Sequence, residues 1–188
     1  MEIASKLIRK CQKGHRQAQF ELYQLCYQPM MNICSRYYKN KDDAASSLNL
    51  AYYKVLTNLD KYQPKVPFDA WIKRITINTV IDEHRKEKKR KEVTDYYEST
   101  DRVFENLKVD FNEAALNLDA DQLESFIHQL PDLCKKVFNL FAIDGYSHNE
   151  IAELLDMSSG TSKWYVSDAR KRLQQMIHGA LNKTLVKS

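Results

Sequence analysis

Basic, acidic and aromatic side chains recur at helical spacing in the stretch Ser147–Leu173, SHNEIAELLDMSSGTSKWYVSDARKRL. Lys163 can donate to guanine acceptors, Asp168 can accept from a cytosine amino group, and Trp164 can contact a thymine methyl. The basic run at 170–172 can bind phosphates, which adds affinity without sequence choice. These residue types in this order indicate a helix that lies against DNA.

Two predicted helices joined by small residues position those side chains. Ser147 and Glu150 form a capping-box pattern at the start of the first helix. Ser158 is a plausible cap of the second helix, whose inward face contains Val166 and Leu173. The pattern favours a helix-turn-helix with its second helix in the major groove, although a plain helical hairpin with a solvated charged face remains the alternative. The predicted DNA-binding residues are Ser147, Thr161, Lys163, Trp164, Ser167, Asp168, Arg170 and Lys171.

A second mixture of aromatic and basic residues occupies positions 61–91. Single-stranded nucleic acid is held by stacking side chains beside a basic track, and this segment has both. A flipped base would then lie in the loop 62–67. Core packing of Trp71, or a solvated charged face, is the alternative. The residues predicted to bind nucleic acid here are Tyr62, Lys65, Trp71, Lys73, Arg74, Asn78 and Arg85.

Composition limits the fold that carries these sites. The 188 residues include only 4 Gly and 4 Pro, which favours helices with short connections and an all-α fold. No apolar run approaches the roughly 18 residues of a membrane span, so we expect a cytoplasmic protein without membrane insertion. The four cysteines have neither disulfide-typical nor zinc-typical spacing, which predicts buried free thiols.

The charge pattern divides the chain into two helical domains and a linker. Residues 84–91 contain six Lys/Arg against one Glu, and residues 92–121 contain nine Asp/Glu against two Lys/Arg. The acidic stretch has weak periodicity, with a helical turn or two expected near Phe111–Leu118. We therefore predict a helical domain at 1–91, an acidic linker at 92–121, and a helix-turn-helix domain at 122–188. The linker has four alternative roles: it occupies a basic channel of a partner, mimics nucleic acid there, shields the basic surfaces of the free chain, or is only a soluble tether.

The C-terminal part resembles the upstream-promoter-reading domain of bacterial RNA polymerase sigma factors of the extracytoplasmic-function group. The matching motifs are Leu130-Pro131, Gly145-Tyr146-Ser147, Glu150-Ile151-Ala152, Gly160-Thr161 and Ala169-Arg170. The resemblance implies that this domain reads the upstream promoter element.

The N-terminal part independently resembles the segment of the same family that reads and melts the downstream promoter element. The matching points are Phe68, Ala70-Trp71, Arg74-Ile75, Asn78, Asp82 and Arg85. The resemblance implies core RNA polymerase and promoter DNA as partners, and it raises an anti-sigma factor as a further one.

The helix that precedes this segment resembles the one with which the family grips the polymerase clamp. On that basis the predicted polymerase-binding residues are Asp43, Ser46, Asn49, Tyr52 and Tyr53. The chain departs from the family here, because Ser46, Asn49 and Leu50 replace acidic residues and a Gln. Clamp contact is therefore expected to be weaker or differently tuned.

Two other function classes compete with a sigma factor. A free-standing helix-turn-helix regulator would explain residues 147–173 but not the first ninety residues, and no coiled-coil dimer seam is visible. A nucleic-acid enzyme would need a metal or acid–base cluster. The five histidines are scattered, so we expect no enzyme, no metal and no cofactor. They are His15, His84, His128, His148 and His178.

Overall fold

The computed structural model describes residues 5–92 and 120–185, and these residues are helical apart from short connections. The prediction of an all-α fold is confirmed. The chain forms two compact units, residues 1–91 and 92–188. Its helices are α1 (Ser5–Gln12), α2 (Arg16–Tyr37), α3 (Lys41–Thr57), α4 (Phe68–Glu92), α5 (Ala120–Gln129), α6 (Asp132–Phe138), α7 (His148–Leu155) and α8 (Ser159–Leu185).

In the N-terminal unit, α2 packs against both α1 and α3. The helical spacing of Phe20 and Tyr27 indicates this helix but does not mark its buried face. Both side chains are exposed, whereas Leu22, Cys26 and Met30 are fully buried.

Helix α3 has its buried face at Ala44, Leu48 and Val55, which recur at helical spacing. Asn40 caps this helix, since its side chain accepts a hydrogen bond from the Asp42 amide at 2.9 Å. A short 3-10 turn, Leu59–Lys61, follows. The proline-containing segment after it separates the turn from α4.

A polar network fixes α4 against α2 and α3. The Glu83 carboxylate accepts hydrogen bonds from the Tyr38 hydroxyl at 2.9 Å and from the Ser47 hydroxyl at 2.5 Å. Lys54 and Asp82 form an ion pair at 3.1 Å between α3 and α4. These contacts set the position of the α4 surface relative to α3.

The C-terminal unit has its core between α5, α6 and α8. Helix α6 ends in a π-helical turn, Asn139–Ile143. Gly145 follows with a positive φ of 82°, a conformation that suits glycine after a helix. The side chains that form this core are Ile127, Leu130, Cys134, Phe138, Ala169 and Leu173.

All four cysteines are free and buried, as the sequence predicted. Burial raises the pKa of Cys26 to about 12 and that of Cys34 to about 11. Burial, with a smaller contribution from Asp168, raises the pKa of Cys134 to about 12. These thiols are therefore protonated and unreactive.

Among the described residues, no helix is long and apolar enough to cross a membrane. The predicted acidic linker, 92–121, lies outside the described residues except for its first residue and its last two, which are helical. The helical turns expected near Phe111–Leu118 also lie outside them.

Candidate nucleic-acid interface

The first helix of the predicted DNA-binding pair, α7, begins with a complete capping box. The Ser147 hydroxyl oxygen accepts from the Glu150 amide at 3.3 Å, and the Glu150 carboxylate accepts from the Ser147 amide at 2.8 Å. Ser147 is exposed at this helix start. Its side chain is thus committed to the cap, while its surface position keeps it accessible to a partner.

A tight turn connects α7 to α8. Asp156 adopts a left-handed conformation, with φ 54° and ψ 57°, and its amide donates to the Ala152 carbonyl. Ser158 caps α8 as predicted, since its hydroxyl oxygen accepts from the Thr161 amide at 2.9 Å. The turn fixes the direction in which α8 leaves α7.

Helix α8 separates a buried face from an outer face. Ser162, Val166 and Leu173 are buried. Trp164, which looked exposed from the sequence, is half-buried and lies edge-on to Tyr165 with ring centroids 4.9 Å apart. The predicted DNA-binding residues that are exposed on α8 are Thr161, Lys163, Ser167, Arg170 and Lys171.

Asp168 is held within the protein rather than presented with the outer residues. Its carboxylate accepts from the Arg172 guanidinium at 2.7 Å, and the Cys134 thiol lies 3.7 Å away. The Asp168 side chain is only 15% exposed. The hydrogen bond that Arg172 donates to Asp168 raises the pKa of Arg172. A contact between Asp168 and a cytosine stays a prediction, and the geometry adds a role in orienting Arg172.

His148 is a residue of this surface that the sequence analysis did not select. Its ring stacks on Phe141 at 4.4 Å, and Nδ1 lies 3.0 Å from the buried Ser162 hydroxyl. Burial, together with the positive charges of Lys163 and Arg170, lowers the pKa of His148. The Arg170 guanidinium also lies 5.9 Å from the Phe141 ring centre. The sequence signal was only its position directly after a capping serine.

In the N-terminal unit, an open pocket of about 290 Å³ lies between α3, the 3-10 turn and α4. Trp71 and Asn78 line it, as does Ile75 from the same helix. The residues that complete the lining are Lys54, Asn58, Lys61 and Thr79. The pocket therefore combines an indole face with amide and ammonium groups, which suits a planar polar ligand.

An aromatic cluster borders this pocket. Tyr62 lies 5.1 Å from Phe68 and 5.2 Å from Trp71, measured between ring centres. Phe68 is buried, whereas Trp71 and Tyr62 are half-buried. The Tyr62 hydroxyl donates to the Val66 carbonyl at 2.9 Å, which closes the loop 62–67. Trp71 thus packs against its neighbours and also faces the pocket.

The other predicted residues of this segment lie outside the pocket. Lys65, Arg74 and Arg85 are exposed, and Lys73 is half-buried. The structure brings Trp71 and Asn78 together in the pocket, with Tyr62 packed on Trp71, and leaves these four as surrounding surface charges. Lys54 and Asn58 were missed by the sequence analysis, although Lys54, Asn58 and Lys61 repeat at helical spacing.

Four of the five predicted polymerase-binding residues share the exposed surface of α3. Asp43, Ser46, Asn49 and Tyr53 are exposed, whereas Tyr52 is buried and its hydroxyl bonds to the Gln19 carbonyl. Tyr52 therefore does not lie on the exposed surface that the other four residues share. Exposed apolar side chains of α2 and α3 add Phe20, Tyr27 and Leu50 to the surface of this unit.

Comparisons with known proteins match residues of both units. The profile of the ECF sigma factor family matches residues 1–179. The chain belongs to the ECF sigma factor family. It is 25% identical to the ECF RNA polymerase sigma factor SigW of Bacillus subtilis, over 93% of this chain and 97% of SigW. It is 27% identical to the ECF RNA polymerase sigma-E factor of Escherichia coli K12, over 91% of this chain and 92% of that protein.

Among solved structures, the sigma factor RpoE of Bartonella quintana, in complex with the anti-sigma factor NepR, has the same fold. The superposition gives a TM-score of 0.51 at 19% identity and covers 84% of this chain and 95% of RpoE. Because the family profile matches residues 1–179, this protein is a sigma factor, which directs core RNA polymerase to promoters at transcription initiation. A free-standing regulator is not favoured, because the family match includes the first ninety residues.

ECF sigma factors act in transcription initiation and are not a class of enzyme. In the part of the chain that the structure describes, no group of three or more His, Cys, Asp or Glu side chains could hold a metal ion.

Proposed function

We propose that the two units of this ECF sigma factor read two separate promoter elements. Residues 1–91 bind polymerase and read and melt the downstream element, residues 122–188 read the upstream element, and residues 92–121 link them. The observation that supports this proposal is the pocket of the N-terminal unit. It is formed by a different part of the chain from the basic outer face of α8, so the two surfaces can bind two different promoter elements.

The pocket is suited to an unstacked base of the downstream element. Trp71 offers aromatic surface for stacking, which contributes about 1–3 kcal/mol per base, and Tyr62 packs against it at the border of the pocket. Asn78 and Asn58 can pair with the edge of a base, and Lys61 can contact its phosphate. These contacts offset the few kcal/mol that unstacking costs. Lys65, Lys73, Arg74 and Arg85 then follow the backbone of the strand.

The outer face of α8 is suited to the upstream element. Lys163 lies in the first turns of the helix, where recognition helices approach base edges. Arg170, Lys171 and Arg172 are exposed further along and are suited to phosphates. His148 lies beside Lys163 and Arg170 and joins this surface from α7.

Polymerase contact is proposed for the exposed residues of α3. Asp43 is the acidic member of that set, and Tyr53 is 64% exposed. Ser46 and Asn49 are uncharged. Aromatic and apolar contacts with the polymerase therefore replace part of the ionic contact that acidic side chains at these positions would make. We also propose a cytoplasmic location, where the polymerase acts. The neighbour RpoE was solved with the anti-sigma factor NepR, and we propose an inhibitor of that kind for this chain.

Promoter selection with variant proteins tests the assignment of the two elements. Core RNA polymerase with each variant transcribes a promoter library in which both elements are randomised, and the transcribed promoters are sequenced. Lys163→Ala should relax the upstream element alone, by about 1–3 kcal/mol at the contacted base pair. Asn78→Ala should relax or weaken the downstream element alone.

Gln175→Ala is the matched control, because Gln175 is an exposed α8 residue with no proposed contact. It should select the parent's promoters. The proposal fails if Lys163→Ala changes the downstream element, if Asn78→Ala changes the upstream one, or if both variants select the parent's promoters.

A further inference from the structure

Helix α1 carries a basic surface that none of the assignments above uses. Its buried residues, Leu7, Ile8 and Cys11, form one face. The opposite face of α1, continued by the residue directly after the helix, carries four exposed basic residues at positions i, i+3, i+4 and i+7, a spacing that places them in one row. We call them the α1 stripe, and they are Lys6, Arg9, Lys10 and Lys13.

No carboxylate neutralises this stripe among the described residues. The sequence has no Asp or Glu between Glu2 and Glu21. Glu21 of α2 and Asp60 of the 3-10 turn are the carboxylates on elements near α1, and neither forms an ion pair with a stripe residue. Arg16, the first residue of α2, is exposed and adds a further positive charge beyond the stripe.

The position of the stripe relates it to the nucleic-acid surface. Helix α1 packs on the 3-10 turn Leu59–Lys61. The Gln12 side-chain amide fixes this contact by donating to the Leu59 carbonyl at 3.0 Å. Lys61, at the end of the same turn, lines the pocket described above. The basic residues of α1 therefore lie on the element that directly adjoins the pocket-forming turn.

The dimensions of the stripe suit a phosphate backbone. From Lys6 to Lys13 the helix rises about 10 Å, at 1.5 Å per residue. One strand of B-DNA carries a charge about every 3.4 Å along the axis, so this length corresponds to about three successive phosphates. Flexible lysine and arginine side chains provide charge without a demand for base sequence.

We propose that the α1 stripe is a further DNA-binding site of this chain, which holds the phosphate backbone of duplex DNA next to the downstream-element pocket. The inference rests on the action of the chain on promoter DNA. It assigns a function to the first helix, whose exposed face otherwise has none.

The test is a salt titration of full-chain binding to a fluorescent duplex of random sequence, followed by anisotropy. Lys10→Gln/Lys13→Gln removes two charges from the exposed face without touching the core. If each lysine neutralises one phosphate, the slope of log K against log salt should be shallower than the parent's by about 1.8, at 0.9 per phosphate. Lys10→Arg/Lys13→Arg should keep the parent slope.

Lys39→Gln/Lys41→Gln is the matched control, because both lysines are exposed at the start of α3 and have no proposed contact. This control should keep a slope close to the parent's. An equal change in both Gln double variants would mean that only net charge matters, and it would overturn the inference. So would a parent that does not bind the duplex at low salt.

A second readout separates DNA from polymerase as the partner of the stripe. Affinity for core RNA polymerase is measured for the parent and for Lys10→Gln/Lys13→Gln, and it should be equal. Weaker polymerase binding with an unchanged DNA slope would assign the stripe to the polymerase and overturn the inference. Promoter-specific transcription by the parent is independent of this result, so failure of the stripe and failure of the proposed function remain distinguishable.

Discussion

Individual side chains at the α7–α8 surface are arranged by neighbours that the sequence does not reveal. His148 lies between Phe141 and Ser162, and both contacts cross between elements. Asp168 pairs with Arg172 on its own helix and approaches Cys134 of α6. Both residues therefore combine a surface position with a structural role, and each gives a measurable consequence.

The first consequence is an acid-shifted titration of His148. Burial and the charges of Lys163 and Arg170 lower its pKa below the usual 6.5, so the ring is neutral in the free protein at pH 7. In an NMR titration the midpoint should lie below 6.5, and Lys163→Ala should move it upward. Lys61→Ala, in the other unit, should leave it unchanged. A midpoint above 6.5 in the parent would contradict the geometry.

The same shift affects stability in a defined direction. The folded chain binds a proton at His148 less readily than the unfolded chain. Stability from this group is therefore fully present above the unfolded pKa and is lost as the pH falls through the folded pKa. His148→Gln should remove this part of the pH dependence.

The second consequence concerns the ion pair of α8. Asp168→Asn removes the negative charge that Arg172 contacts and leaves Cys134 beside a neutral amide. We expect a loss of about 1 kcal/mol in the free energy of urea unfolding, the upper value for a partly exposed ion pair. Glu153→Gln, an exposed acid of α7, is the control and should change stability little. Equal stability of the two variants would show that the pair contributes nothing.

At the scale of helices, the boundaries are set by local chemistry that the sequence displays. Ser147 with Glu150 begins α7, Ser158 begins α8, and Gly145 follows the π-helical turn of α6. Capping groups act within three residues, so their partners can be inferred from spacing alone. The buried face of α3 can be inferred in a different way, from the helical spacing of Ala44, Leu48 and Val55.

The cap of α7 can be tested directly. Ser147→Ala removes the acceptor for the Glu150 amide and the donor to its carboxylate, and it should reduce unfolding free energy by about 1 kcal/mol. Ser167→Ala is the control, since Ser167 is exposed in the middle of α8 and alanine is the better helix former there. In urea denaturation, the unfolding free energy of Ser167→Ala should equal or exceed that of the parent, and that of Ser147→Ala should be lower than both. The reverse order would mean that the box does not stabilise α7.

The sequence predicted the helices and, among the residues that line the pocket, Trp71 and Asn78, but it was not informative where tertiary packing decides. Phe20 and Tyr27 of α2 repeat at helical spacing but are exposed, because Leu22, Cys26 and Met30 occupy the neighbouring face and pack inward. Lys54 and Asn58 join Trp71 and Asn78 only through the docking of α3 on α4. Such contacts lie between elements distant in sequence, and local periodicity contains no information about them.

At the scale of the whole molecule, the protein is an ECF sigma factor with two helical units and charges of opposite sign along its chain. Basic residues border the pocket of the first unit and the outer face of α8, whereas residues 92–121 are acidic. Long-range attraction of basic surfaces to phosphate falls with salt, so promoter binding by the holoenzyme should weaken as salt rises. Promoter binding that requires core polymerase distinguishes a sigma factor from a regulator that acts alone.

Run-off transcription by core RNA polymerase on a promoter library, with and without the purified chain, tests this account most directly. The account predicts discrete transcripts that appear only with the chain, that share two spaced promoter elements, and that decline when a housekeeping sigma factor competes for the core enzyme. If the chain bound DNA but produced no specific transcript and did not compete for the polymerase, the central claim would be contradicted.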